Sequence, residues 1–392
     1  MINRAAKAHI KSLAKLFRVV AVTGVRQSGK TTLLKSAFPK YDYYNLEDLN
    51  TFDIVRTDPM AFVRAKSRVI IDEVQRLPEL LSAIQVSVDE RNRTGDFLLS
   101  GSQNLLISDK IGQSLAGRAA YQILTPFSIG ELGKFGHKDY LKQIFTGFYP
   151  AVYADKIPAE IYYAQYLATY VERDMRTLQN VQDLSLFRKF MNLLAGRIGQ
   201  LINRESLAGD TGISVKTVEQ WLSVLEASCL IYRLRPYYAN IGKRLVKSQK
   251  IYFIDTGLAC CLLGINSPQT LETHYLRGGL FENMCVMDIR KQLLNKGNPR
   301  DDMYFYRDSN NNEADLLIDG GAGELTPVEI KSAGKFDPSF LKSIKNMKKA
   351  FSEAPNIKIT DGFLVYTGNQ EGDVSGSRLI NWLNLKMIAE TA

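Results

Sequence analysis

The sequence predicts an α/β protein: a parallel sheet, then a helical middle, then a second, smaller α/β unit. Three observations predict it. A glycine-bearing loop, Gly24-Val25-Arg26-Gln27-Ser28-Gly29-Lys30-Thr31, lies between an apolar run and a helix start. Two helical patterns separated by a turn precede two strand-like runs between residues 203 and 254. Near the C-terminus, alternating strands carry Asp315, Glu329 and Lys331. One core rarely serves beyond about 250–300 residues, so a chain of 392 residues is expected to divide, here at 1–135, 136–264 and 265–392.

Composition narrows the class. An apolar content of 45% with 23% charged residues is that of a folded globular chain. No run of eighteen apolar residues exists, so no membrane association is expected. The stretch Met1 to Phe17 is basic and amphipathic and lacks the apolar core of a signal peptide. Cys229, Cys260, Cys261 and Cys285 show no metal-ligand spacing and are expected to be buried reduced thiols of a cytoplasmic protein. Three histidines argue against zinc catalysis. Of the net charge of +9, residues 185–250 supply +7, from eleven Lys/Arg against four Asp/Glu. A concentrated basic segment points to a polyanion such as nucleic acid, against the alternative of solvated surface lysines.

The loop has the pattern G-x-x-x-x-G-K-[ST] in its required setting: the run Val19-Val20-Ala21-Val22 before it and Thr32-Leu33-Leu34-Lys35 after it. Glycines let backbone N–H groups wrap a phosphate, and the helix N-terminus adds a favourable dipole. Residues Gly24 through Thr31, with Thr32, are expected to contact the nucleotide. Lys30 would reach the β/γ-phosphates and the Thr31 hydroxyl would ligate Mg²⁺. A second apolar run, Val69-Ile70-Ile71, ends in Asp72 and Glu73, 42 residues beyond Lys30. Asp72 would hold Mg²⁺ through water and Glu73 would polarise the attacking water. A third run, Phe97-Leu98-Leu99-Ser100, leads to Ser102, Gln103 and Asn104. Ser102 is favoured as a γ-phosphate sensor, with Gln103 and Asn104 as alternatives and a turn or cap role for the same residues as the other reading. Arg118 would act as a guanidinium supplied to a neighbouring copy, or as an ordinary surface arginine.

Gly24 to Thr31, Ile71-Asp72-Glu73-Val74-Gln75, Leu99-Ser100-Gly101-Ser102 and Leu115-Ala116-Gly117-Arg118 together resemble the prokaryotic AAA+-superfamily ATPases. More narrowly they resemble the group in which the ATPase is fused to a nuclease-like C-terminal domain. The resemblance covers nearly the whole chain and implies ATP and Mg²⁺ as cofactors.

Residues 136–200 are rich in helix formers and tyrosines, among them Tyr149, Tyr162, Tyr163 and Tyr166, expected to form a core face. Glu172-Arg173-Asp174 is expected to form local ion pairs. Asn203 to Ala208 reads as a short helix and Gly209 to Gly212 as a turn. Ser214 caps a second helix that turns Val218, Trp221, Leu222 and Leu225 inward and Lys216, Thr217, Gln220 and Ser223 outward. Strands follow at Leu230 to Arg235 and Lys250 to Ile254, around a basic loop with Lys243, Arg244 and Lys247. This order is that of a winged helix, which would contact DNA through its second helix and wing, or would serve as a protein-contact module.

In the C-terminal third a helix opening at Phe281-Glu282-Asn283 is expected, followed by strands at Met303 to Arg307, Glu313 to Ile318 and Pro327 to Lys331. Asp315 and Glu329 would bind Mg²⁺ on one sheet edge, Lys331 would orient water, and Glu282 would assist from the helix. The order Glu, Asp, Glu-x-Lys resembles the PD-(D/E)xK nucleases, which implies a restriction-endonuclease-like fold, although Ala314 stands where that pattern has proline. The alternative is a fold retained for binding, with its acids in ion pairs. The expected function is therefore ATP binding and hydrolysis on or near DNA, in a protein that associates with itself. The other reading is an ATP-dependent switch with a catalytically silent nuclease-like domain.

Overall fold

Alternation within the first apolar run decides the architecture around the loop. In β1 (Val19–Thr23), Val20 and Val22 pack with Ala6, Ile10, Leu33 and Leu34, while Val19 and Ala21 pack with Val63, Leu80 and Ile84. A strand buried on both faces belongs inside a parallel sheet covered by helices. The computed structural model, which describes residues 2–101, 115–171, 183–237, 248–298, 302–308, 312–352 and 356–391, has that sheet. Ser102, Gln103, Asn104, Glu172, Arg173, Asp174, Lys243, Arg244 and Lys247 lie outside the described residues.

The remaining strands are β2 (Asp42–Asn45), β3 (Val69–Asp72), β4 (Phe97–Ser100) and β5 (Ala119–Ile123). All pairings are parallel, in the order β2-β3-β4-β1-β5. Helices Ala6–Leu16 and Lys30–Ala37 contribute to one apolar layer; Leu49–Thr57, Pro59–Ala65 and Glu79–Arg91 contribute to the other. The strand that leads into the phosphate loop thus has β4 on one side and β5 on the other, and β4 separates it from the strand ending in Asp72.

Where the sequence suggests three segments, the chain packs into two compact units. The first is Met1–Phe127 with Ala227–Leu230 and Leu293–Pro299; the second is Ser128–Glu226, Ile231–Gln292 and Arg300–Ala392. Within the second unit, β6 (Ile231–Pro236) and β7 (Lys250–Phe253) pair antiparallel, as a wing would. They are not a free-standing hairpin, because Arg235 and Pro236 of β6 pair parallel with Tyr304 and Phe305 of β8 (Met303–Arg307). The sheet continues through β9 (Glu313–Gly321), β10 (Glu324–Lys331), β12 (Gly362–Tyr366), β14 (Ser377–Asn381) and β13 (Gly372–Val374), with β11 (Lys358–Ile359) beside β10.

Local chemistry explains the shifts in boundary. The helix Arg204–Thr211 runs through Gly209, because Leu207, Ala208 and Thr211 keep one face buried, and it stops at Gly212, whose φ of +88° makes the left-handed cap. Ser214 caps the next helix, Val215–Ala227, by accepting from Thr217 N at 3.0 Å. The β9–β10 turn narrows to Ala322 and Gly323, both at positive φ (+52° and +82°). Tyr149, Tyr162, Tyr163 and Tyr166 are buried and in mutual ring contact, the core face their spacing predicts. Cys229, Cys260 and Cys285 are buried free thiols and Cys261 is half-buried. Among the described residues no helix is long and apolar enough to cross a membrane.

Candidate functional site

The loop after β1 is shaped by two glycines. Gly24 holds φ +132°, and a Cβ there would stand 2.1 Å from the Leu124 carbonyl oxygen, so no side chain fits. Gly29, at φ +89°, starts the helix Lys30–Ala37 from a left-handed conformation. Between them Val25 is buried, Gln27 is exposed at φ +59°, and Ser28 is fully buried. The Ser28 hydroxyl has no hydrogen-bond partner among the described residues. A buried hydroxyl is expected to be paired, so this one is consistent with a loop built around a group that would satisfy it. Thr32 is exposed on the first turn and Arg26 is half-buried within electrostatic reach of Lys30.

Lys30 is buried and its ammonium donates to the carbonyls of Val25 (2.9 Å) and Gly24 (3.1 Å). Burial lowers its pKa to about 8, against the pull of Glu73 and Asp72. Asp72, at the end of β3, gathers the polar groups of the site. Its Oδ2 accepts from Thr31 Oγ1 (2.6 Å) and Tyr43 OH (2.9 Å), and its Oδ1 from Ser100 Oγ (2.6 Å) and Glu73 N (3.1 Å). Glu73 follows in the left-handed region (φ +54°), a strained conformation for a residue with a side chain. Its carboxylate accepts from Gln75 Nε2, and burial raises its pKa.

Three residues around the loop carry no sequence signal. Ser100 closes the third apolar run, two residues before the Ser102 that the pattern favours, and Tyr43 on β2 carries no motif. Arg4 is the third: its guanidinium donates to Ser28 O and Thr125 O, both at 2.7 Å, and lies 4.8 Å from the Phe127 ring centre. It ties the phosphate loop to the segment after β5, and nothing in its spacing announces that. Arg118 is not brought to the loop. Val19 N donates to Arg118 O, which places this residue at the start of β1 and β5, a strand's length of about 15 Å from the loop at about 3.3 Å per residue. Its side chain pairs with Asp89 at 2.7 Å, which Arg18 also binds.

In the second unit, Glu282, Asp315, Glu329 and Lys331 do come together. Asp315 Oδ2 accepts from Ile330 N (2.9 Å) and lies 3.7 Å from Lys331 Nζ. Glu329 accepts from Lys331 Nζ and from Ser343 Oγ (2.6 Å), and burial, with Asp315 beside it, pushes its pKa up to about 7. Glu282 accepts from Tyr252 OH (2.6 Å) and Lys250 Nζ (3.2 Å). A lysine, a serine hydroxyl and a backbone amide hold the Asp315 and Glu329 carboxylates. Among the described residues no group of three or more Asp, Glu, His or Cys is placed to hold a metal ion.

Among the described residues, four cations of the middle segment are held in ion pairs. Arg197 pairs with Asp210, Arg204 with Glu219, Arg233 with Glu219 and Glu226, and Lys250 with Glu282 and Glu313.

Residues 16–133 match the model of a family described as an AAA domain. Residues 137–269 and 277–385 match two domains of unknown function, DUF8612 and DUF4143. Together with the loop, the parallel sheet and the Asp72 cluster, this makes the first unit an AAA-type P-loop ATPase domain that binds nucleotide. The chain is 30% identical over 347 residues to the uncharacterized protein Rv2008c of Mycobacterium tuberculosis, covering 88% of this chain and 76% of that one, and it belongs to the same family. An uncharacterized protein of Haemophilus influenzae is 24% identical over 317 residues, covering 70% of this chain and 78% of that protein. Among solved structures, the Walker-type ATPase PABY2304 of Pyrococcus abyssi is similar at a TM-score of 0.44 and 15% identity, covering 67% of this chain and 96% of that one.

Proposed function

We propose that this protein hydrolyses ATP with Mg²⁺ and works as a nucleotide-driven switch. The observation that carries the reading is the convergence of Thr31, Tyr43 and Ser100 on the Asp72 carboxylate, with Glu73 next in the chain. Thr31 and Asp72 would hold Mg²⁺, which when bound would offset charge on the β/γ-phosphates. Lys30 leaves its two carbonyls to pair with the γ-phosphate, the Ser28 hydroxyl gains a partner, and Glu73 takes a proton from water. Its raised pKa suits a group that must accept that proton. ATP turnover by the purified chain, lost with ATP binding in Lys30→Ala, tests this; tight binding retained in that variant overturns it.

The switch is preferred over a nuclease because lysines already sit among the second unit's acids, Lys331 on Glu329 and Lys250 on Glu282. Self-association belongs to the same proposal: Arg118, remote from its own loop, would serve only the site of another copy.

DNA contact is a second reading, favoured by one observation. The helix Val215–Ala227 is capped by Ser214 and exposes Lys216 and Gln220. Salt-dependent binding to duplex DNA that weakens in Lys216→Glu would support it; binding indifferent to salt and to that change would refute it.

A further inference from the structure

The cluster around Glu282 contains a cation that no motif anticipates. Lys250 opens β7, and its side chain is buried. Its ammonium lies 2.7 Å from Glu313 Oε1 and 3.2 Å from Glu282 Oε1, with the Phe305 ring centre at 5.7 Å. Tyr252, two residues on and therefore on the same face of the strand, donates to the same Glu282 oxygen. Next to them stand Asp315 and Glu329 with Lys331, and Arg307 approaches Glu313 at 3.7 Å. Four carboxylates this close together, Glu329 buried and Glu313 still a third exposed, repel one another unless cations lie among them. A divalent ion is one solution to that problem. Here lysines supply the charge: burial works against the Lys250 ammonium, but Glu282, Asp315 and Glu313 more than reverse it and hold the group charged.

We propose that Lys250 is the resident cation of this cluster. Its ammonium takes the charge-balancing place that a divalent ion would otherwise occupy, so the carboxylates of the second unit form a closed, metal-independent site. The site acquires affinity for divalent ions only when Lys250 is removed. This is independent of the nucleotide reading, because the phosphate loop lies in the other unit and the test uses no nucleotide.

The experiment titrates Mn²⁺ into the nucleotide-free full-length chain and follows free Mn²⁺ by electron paramagnetic resonance. Wild type is compared with Asp315→Asn, which keeps an oxygen for the Ile330 amide. Indistinguishable binding is expected; a site in wild type that Asp315→Asn loses overturns the proposal. In parallel, Lys250→Met should melt about 10 °C lower, the scale expected when a buried ion pair loses one partner. Either saturating Mn²⁺ or the second change Glu282→Gln should recover most of that shift, while Mn²⁺ leaves the melting of wild type unchanged. Failure of Mn²⁺ to recover the shift overturns the proposal whatever Glu282→Gln does. If Lys250→Met does not fold, the comparison of wild type with Asp315→Asn decides alone.

Discussion

Asp72 and Glu73 are neighbours in sequence, yet burial and partners give them different work. Asp72 is saturated by Thr31, Tyr43, Ser100 and the Glu73 amide, whereas Glu73 is strained, half-buried and raised in pKa. Glu73→Gln is expected to leave ATP binding intact and cut turnover about 10²–10⁴-fold, the usual worth of a general base; a steady-state ATPase assay beside a binding titration checks it. Tyr43→Phe removes one neutral donor to Asp72, a loss of about 1 kcal/mol or roughly fivefold in turnover if that bond persists when nucleotide is bound. Lys30 gives a pH signature. Its free-state pKa is about 8 and a bound polyanion raises it, so only the protonated form binds well. Affinity should be flat below about pH 8 and fall by at most tenfold per unit above it, with proton uptake visible by calorimetry in buffers of different ionisation enthalpy.

At the scale of elements, β1, β3 and β4 could be read from apolar runs because each is buried along its whole length. The glycines of the loop were equally legible, since Gly24 has no room for a Cβ against Leu124. What escaped was contact across the sequence. Tyr43 reaches Asp72 over 29 residues and Arg4 reaches Thr125 over 121, and no periodicity encodes either. The β6–β8 pairing was hidden for the same reason: a wing hairpin and the edge of a larger sheet have one and the same local pattern. The β9–β10 turn tests local reasoning directly. Ala322 holds φ +52° beside Gly323, a combination a two-residue hairpin fills better with Asn-Gly. Ala322→Asn should therefore stabilise by about 0.5–1 kcal/mol, measured as a rise in melting temperature of about 2 °C.

For the whole molecule, the compact unit that begins at Ser128 draws on both segments that composition separates. Arg235 and Pro236 find their parallel partners in Tyr304 and Phe305, and buried Lys250 finds its counter-charges in Glu282 and Glu313. A chain ended after residue 264 would leave β6 with an unpaired edge and Lys250 buried without its carboxylates. Exposed strand edges invite aggregation, and a buried charge stripped of its partners is among the costlier defects, about 3–5 kcal/mol. The fragment 1–264 is therefore expected to be insoluble or to elute as aggregate in gel filtration, even though it contains the whole phosphate loop, while the full chain stays soluble. A winged helix that folds as an independent module predicts the opposite, a soluble fragment with a cooperative melt. That outcome would show that β6 and β7 need no support from β8, and it would restore a division of the chain at residue 264.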